Sequence, residues 1–208
     1  MGETMIRFAP LEDATPPTDT LRHMPTPFLR SIGGDELNNS VALALLGVKS
    51  RWVSVLPEGA MGDIITKSCE SHGVEFAGSR VPGDIGTFTV LPEEKTVHYQ
   101  RRNSTFALHD PGTLDWNALF FPAGAVPWVY LTGITPLVSA SARASWDNAL
   151  ACAKMRGAKI SLDLNHRKQL GSLADLYDIV KPHLSSLELL VLSVEQLGGL
   201  VTLAGQQV

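Results

Sequence analysis

Three short stretches place polar groups where a strand gives way to a loop or helix. They are Gly33-Gly34-Asp35-Glu36-Leu37-Asn38, Leu131-Thr132-Gly133-Ile134-Thr135 and Asp163-Leu164-Asn165-His166-Arg167. In an open parallel sheet, ligands bind beyond the carboxyl ends of the strands. Each stretch also has a plain explanation. Gly33 and Gly34 make a strand-to-helix turn, with Asp35 as N-cap and Asn38 exposed. Gly133 ends a strand, and Asp163 and Asn165 bond their own backbone in a turn. Taken with Tyr99 and Arg101, the three supply amides and carboxylates for hydroxyl groups and two cations, Arg101 and Arg167. A polyhydroxy acid needs such a set, because guanidinium pairs well with carboxylate. A phosphate cradle is excluded on spacing, since neither G-x-x-x-x-G-K-[ST] nor G-x-G-x-x-G occurs. Asp35 and Glu36 would repel a polyphosphate, whereas acids, amides and closely approaching backbone suit hydroxyls.

Alternating strands and helices must hold these groups. "ETMIRFAP", ended by Pro10, and "FLRSI" are short strands, separated by a Pro-, Thr- and Asp-rich surface loop over 10–27. Residues 36–46 form a helix whose buried face holds Leu37, Val41, Leu43, Ala44 and Leu45, stopped by Gly47. "RWVSVL" is a strand, and 61–72 a helix ending at Gly73. "GTFTVL" and "TVHYQR", joined by "PEEK", form a hairpin. Period two puts Val97, Tyr99 and Arg101 on one hairpin face and His98, Gln100 and Arg102 on the other. "WVYLTG" is a buried strand. The helix over 139–156 turns Ala142, Trp146, Ala149, Leu150 and Ala153 inward and ends at Gly157. "AKISLDLN" is a central strand, 173–184 a helix limited by Pro182, and "LELLVLS" a further strand. "EQLGGLVTLAGQQV" has no clear closing element. The pattern is that of a doubly wound α/β sheet carrying a small hairpin.

Composition narrows the function. The chain has 208 residues, 44% hydrophobic and 18% charged, with a net charge of -4. No Lys/Arg run exceeds two residues, which argues against nucleic-acid binding. Cys69 and Cys152 lack metal spacing and are expected to be reduced, buried thiols of a cytoplasmic protein. No stretch is apolar and long enough to span a bilayer.

In order along the chain, "GETMIRFAP", "GGDELNNSVALALLG", "LPEGAMGDIITKSCESHGV", "GTFTV", "VHYQRRNSTF", "LDWNALF", "LTGITPLVS" and "SLDLNHRKQLG" resemble the N-terminal two-thirds of a PfkB (ribokinase-like) carbohydrate kinase. The ordered set is most similar to 2-keto-3-deoxygluconate kinases. The resemblance implies one incomplete ribokinase-like domain over 1–208, with lid segments at about 28–32 and 86–102. It implies phosphorylation of a sugar or sugar acid with ATP and Mg2+, and lid-to-lid homodimers. On the matching positions, Gly33, Gly34 and Asn38 would hold sugar hydroxyls, helped by Asp35. Tyr99 and Arg101 match the lid pair facing a sugar acid, and Ile134 the floor. Phe88 stands where the subgroup has a tyrosine. Asn165, Arg167, Ser193 and Glu195 fall at positions near nucleotide and phosphates, with Arg167 also beside the sugar.

The sequence departs from the family in three places. It has no Gly-Ala-Gly-Asp, the segment that carries the family's anion hole and base. Ser193-Val194-Glu195-Gln196 stands where the family has Asn-x-x-Glu. Most of the apolar strand that leads into the family's Gly-Glu pair is missing, which leaves parallel edges unpaired. The expectation is therefore a chain carrying the substrate-binding part, with poor ATP binding and no catalytic residue of its own. The alternative is a non-catalytic sugar-acid-binding or subunit-pairing fragment.

Overall fold

The computed structural model describes residues 1–11, 28–91, 96–120 and 126–205. Most of the expected surface loop over 10–27, and the Pro-Glu-Glu-Lys turn at 92–95, lie outside them.

The strands are β1 (Met5–Pro10), β2 (Phe28–Gly33), β3 (Ser50–Pro57), β4 (Val74–Val81), β5 (Thr87–Leu91), β6 (Thr96–Gln100), β7 (Trp128–Thr132), β8 (Lys159–Asp163) and β9 (Leu189–Val191). The helices are α1 (Asp35–Leu45), α2 (Ala60–Ser71), α3 (Thr105–Leu108), α4 (Trp116–Phe120), α5 (Thr135–Val138), α6 (Ala140–Met155), α7 (Leu173–Val180) and α8 (Val194–Gly205). Strands and helices alternate, except that β1–β2 and β4–β5–β6 are consecutive strands and α3–α4 and α5–α6 are consecutive helices.

Outside the lid, the strands fall into two parallel groups, β3–β4 and β7–β8–β9. Residues 1 and 2 run between them. The Gly2 N–H donates to the Val53 carbonyl at 3.1 Å, and the Met1 amino group to the Tyr130 carbonyl at 3.4 Å. The chain start thus bridges the edges of β3 and β7, which were expected to stay unpaired. The lid is a separate four-stranded sheet in the order β2-β1-β5-β6. In it β1 is antiparallel to β2 and parallel to β5, and β5 is antiparallel to β6.

Both faces of β3 are covered. Trp52 and Leu56 pack with Leu37 of α1 and with Ile65 and Cys69 of α2. Val53 and Val55 join the larger core of Trp116, Phe120, Leu131, Trp146, Leu150 and Leu176. A strand alternates its side chains between faces, so this division is the mark of a doubly wound sheet. The inward residues expected on α6 are all buried, and Trp146 is 0% exposed.

Four expectations need correction. On α1 only the Leu37, Val41, Ala44 stripe packs inward, while Leu43 and Leu45 are exposed. That stripe is narrower than the expected face because it follows one side of the 3.6-residue turn. The C-terminal stretch is helical as α8, although Gly198 and Gly199 lower its intrinsic propensity. Strand β4 and the short helices α3, α4 and α5 are additional elements. Of the two free cysteines, Cys69 is buried, and burial pushes its thiol up to about 11; Cys152 is only half-buried. Among the described residues no helix is long and apolar enough to cross a membrane.

Candidate functional site

The turn from β2 into α1 is the centre of the site. Gly34 is the N-cap, and its extended backbone (φ -175°) is open to any residue. What requires glycine is space. A Cβ there would meet Thr4 Oγ1 and lie 2.5 Å from the Glu3 carbonyl. At Gly33 a Cβ would lie 2.9 Å from Phe88 Cζ. Phe88 on β5 stacks on Tyr99 on β6 at 5.6 Å between centroids and 29° between planes. The Arg101 guanidinium lies 5.9 Å from the centre of the Tyr99 ring. Gly33, Phe88, Tyr99 and Arg101 therefore form one continuous set across the lid.

Arg101 lies just beyond β6, and its guanidinium turns inward. Its Nε donates to Glu3 Oε2 at 2.7 Å, and its Nη2 pairs with the same oxygen. The other oxygen, Oε1, accepts the Ser104 hydroxyl at 2.6 Å. The side chains of Arg101 and Glu3 are 10% and 2% exposed. Burial pushes the Glu3 carboxyl up, opposed by the Arg101 charge and by the Ser104 and Arg101 hydrogen bonds.

A second set lies at the ends of β7 and β8. Asp35 opens α1 and accepts the Tyr130 hydroxyl at 2.9 Å. Burial, followed by this bond to Asp35, raises the Tyr130 hydroxyl's pKa. Asp163 ends β8. Its carbonyl accepts the Gly133 N–H at 2.8 Å and its Oδ1 accepts the Asn165 N–H at 3.0 Å. Burial and then the Asp35 charge push the Asp163 carboxyl up, while Arg167 acts the other way. Asn165 has φ 35°, a left-handed turn position that Asn tolerates. The Ile134 N–H donates to Thr132 Oγ1 at 3.2 Å.

Glu36 joins the two sets. It is buried, and its Oε1 accepts the hydroxyls of Thr132 and Thr135, each at 2.7 Å. Burial pushes its carboxyl up, against the Met1 ammonium and the two hydroxyls.

The remaining expected residues lie outside these hydrogen-bonded sets. Asn38 and Arg167 are exposed on the solvent side. Ser193 and Glu195 sit at the start of α8, where Ser193 and Gln196 form a reciprocal cap. The Ser193 N–H donates to Gln196 Oε1 at 2.9 Å, and the Gln196 N–H to Ser193 Oγ at 3.2 Å. That is the S-x-x-Q capping pattern, which occupies both side chains with the helix end. A hydrogen bond from Ser193 holds the exposed Glu195 carboxyl below its usual range. His166 donates from Nε2 to the Gly171 carbonyl at 2.8 Å, as a loop residue does. Among the described residues no group of three His, Cys, Asp or Glu side chains is placed to hold a metal ion. Two shallow cavities, of about 370 and 510 Å³, are lined by other residues.

Glu3 and Tyr130 were not singled out from the sequence, and Glu36, Thr132 and Thr135 lay inside the marked stretches without the mutual contacts that the structure shows. The available signals were two acids in otherwise buried segments and a T-x-x-T pair around Gly133. Their partners lie 95 to 101 residues away, which periodicity cannot show.

Comparison with known proteins bears on the fold and the family. The chain is 28% identical over 209 residues to a 2-dehydro-3-deoxygalactonokinase of Haloferax volcanii, a match covering 98% of this chain and 63% of that protein. It is 27% identical over 198 residues to fructokinase-2 of Solanum lycopersicum, covering 86% of this chain and 57% of that protein. Among solved structures, the 2-dehydro-3-deoxygluconokinase of Thermotoga maritima superposes with a TM-score of 0.81 at 24% identity, over 97% of this chain and 60% of that one. A fructokinase of Xylella fastidiosa with bound ATP gives 0.78 at 23%, over 98% and 63%. These likenesses show a ribokinase-like α/β fold, and the chain spans roughly three-fifths of the length of these relatives. Residues 1–196 match the pfkB family carbohydrate kinases, and the chain belongs to that family.

Proposed function

We propose that this chain supplies the sugar side of a kinase that transfers a phosphoryl group from ATP to a hydroxyl of a sugar acid resembling 2-keto-3-deoxygluconate. The observation that carries the proposal is the continuous set Gly33, Phe88, Tyr99 and Arg101, which lines one surface with aromatic faces and a guanidinium. Gly34, Asp35, Asn38 and Ile134 would complete the sugar contacts, and Arg167 would serve the acid and the phosphates from the end of β8. Asn165, Ser193 and Glu195 are the positions nearest the nucleotide by family resemblance. Phosphoryl transfer depends on positioning and charge stabilisation, with a group to take the hydroxyl proton. No residue of 1–208 is assigned that last role. The edges of the lid sheet, β2 and β6, are where lids of two copies would meet.

A second reading is a sugar-acid-binding chain without turnover. It is favoured by the Ser193–Gln196 cap, which engages the side chains standing where the family has Asn-x-x-Glu. Thermal stability of purified 1–208 separates the two, because a ligand that binds only the folded state must raise it. The kinase reading expects stabilisation by 2-keto-3-deoxygluconate and by ATP, and the binding reading by the sugar acid alone. A coupled ADP-release assay is expected to show no turnover by residues 1–208 alone. Normal turnover would overturn the absence of a base, and stabilisation by neither ligand would overturn both readings.

A further inference from the structure

Glu3 lies just ahead of β1 and is closed in on several sides. A Cβ at Gly34 would lie 2.5 Å from its carbonyl, and a Cβ at Gly86 2.9 Å from its Oε1. Its two carboxylate oxygens do different work. Oε1 is tied to Ser104, and Ser104 Oγ also accepts the Ala107 N–H at 3.1 Å, which anchors the carboxylate to the start of α3. Oε2 receives both Nε and Nη2 of Arg101.

Two bonds to one side of a planar guanidinium fix its orientation as well as its position. The Nη1 end is the one that Glu3 does not engage. Without Glu3, Arg101 would be a long side chain that loses rotamer freedom whenever it meets a ligand. With Glu3 it is held, over the Tyr99 ring, before any ligand arrives. Holding a ligand-contacting group through a buried partner is a general device for precision in sites.

We propose that Glu3 is a positioning residue for substrate recognition: it sets the Arg101 guanidinium so that its Nη1 end meets the carboxylate of a sugar acid. The inference rests on the sugar-acid reading of this site. Specificity for acid over neutral sugar then depends on a residue that does not itself touch the substrate.

The test is calorimetric titration of purified 1–208 with 2-keto-3-deoxygluconate and with fructose as the neutral sugar. The proteins are wild type, Glu3→Gln, Glu3→Asp, Arg101→Ala and the double variant Glu3→Gln/Arg101→Ala. Glu3→Gln is expected to weaken the acid about tenfold or more and fructose less than about threefold. Glu3→Asp, which restores the charge, is expected to recover part of the acid affinity. In the Arg101→Ala background Glu3→Gln is expected to have no further effect on the acid, because the two act as a unit. Equal loss of both sugars, or a loss that adds to that of Arg101→Ala, would overturn the positioning role alone. If neither Glu3 variant folds, as judged by circular dichroism, Glu3 serves the fold and the proposal is wrong. If wild type binds fructose but not the acid, or binds neither, the sugar-acid reading itself is wrong and this inference falls with it.

Discussion

Thr132 donates its hydroxyl to Glu36 at 2.7 Å across 96 residues of sequence. Thr135 does the same from the start of α5. One buried carboxylate thus ties the turn that carries Gly133 and Ile134 to the beginning of α1. Removing it leaves two buried hydroxyls without their acceptor. Glu36→Ala is expected to lower stability by about 2–4 kcal/mol in urea unfolding. Glu36→Gln retains an acceptor oxygen and should cost about 1 kcal/mol or less. Equal losses in the two variants would mean that packing, not the hydroxyl bonds, matters there.

His109 provides a pH prediction. It is buried, with Nδ1–H donating to the Phe106 carbonyl at 2.6 Å and Nε2 accepting the Ser145 hydroxyl at 2.7 Å. Burial holds its pKa below 6.5, opposed by the Phe106 carbonyl and Asp110. Below pH 6.5 the unfolded chain therefore binds this proton more readily than the folded one. The contribution is full above that pH and is lost as pH falls toward the folded value. The stability of wild type relative to His109→Asn should decline between about pH 7.5 and about pH 5.5, by at most about 1.4 kcal/mol per pH unit. A constant difference would show that the imidazole is not held neutral.

The glycines of the site differ in what opposes a side chain. At Gly133 a Cβ would run into the Leu164 carbonyl, which belongs to the backbone after β8. At Gly33 it would meet only the rim of the Phe88 ring. Backbone yields less than a ring that can tilt, so Gly133→Ala should cost about 1–3 kcal/mol and Gly33→Ala less. Gly33→Ala should instead act on ligand binding, by disturbing the Phe88–Tyr99 stack. Thermal denaturation with and without sugar acid distinguishes the two effects. The same melting point for Gly133→Ala as for wild type would contradict the close contact.

The legible parts of this chain are those with a local cause. The α6 core face follows from helical spacing of Ala142, Trp146, Ala149, Leu150 and Ala153. The β5–β6 hairpin follows from two β-prone runs, and Gly33, Phe88, Tyr99 and Arg101 do gather at the lid. What escaped has a non-local cause. The inward turn of Arg101 depends on Glu3, 98 residues away. Strand period two carried the Val97 and Tyr99 face on to Arg101, one residue past the end of β6, and could not show that a buried carboxylate holds the guanidinium there. Helix α8 escaped because its two central glycines weaken the local signal that a cap and apolar spacing otherwise provide.

That same helix carries the last prediction. Val194, Leu197 and Val201 are 82%, 51% and 64% exposed, and spacings of three and four residues put them on one side of α8. Leu189 and Val191 of the neighbouring edge strand β9 are exposed as well. Scattered apolar residues on a surface need no explanation, but an aligned helical strip beside an open strand edge favours association. Purified 1–208 is expected to self-associate as its concentration rises, seen as a concentration-dependent sedimentation coefficient. Leu197→Lys together with Val201→Lys places two charges on the strip and should shift the distribution toward monomer, with melting temperature nearly unchanged because both side chains are exposed. Association that persists in the double variant would move its origin to another surface, such as the β2 or β6 edge of the lid.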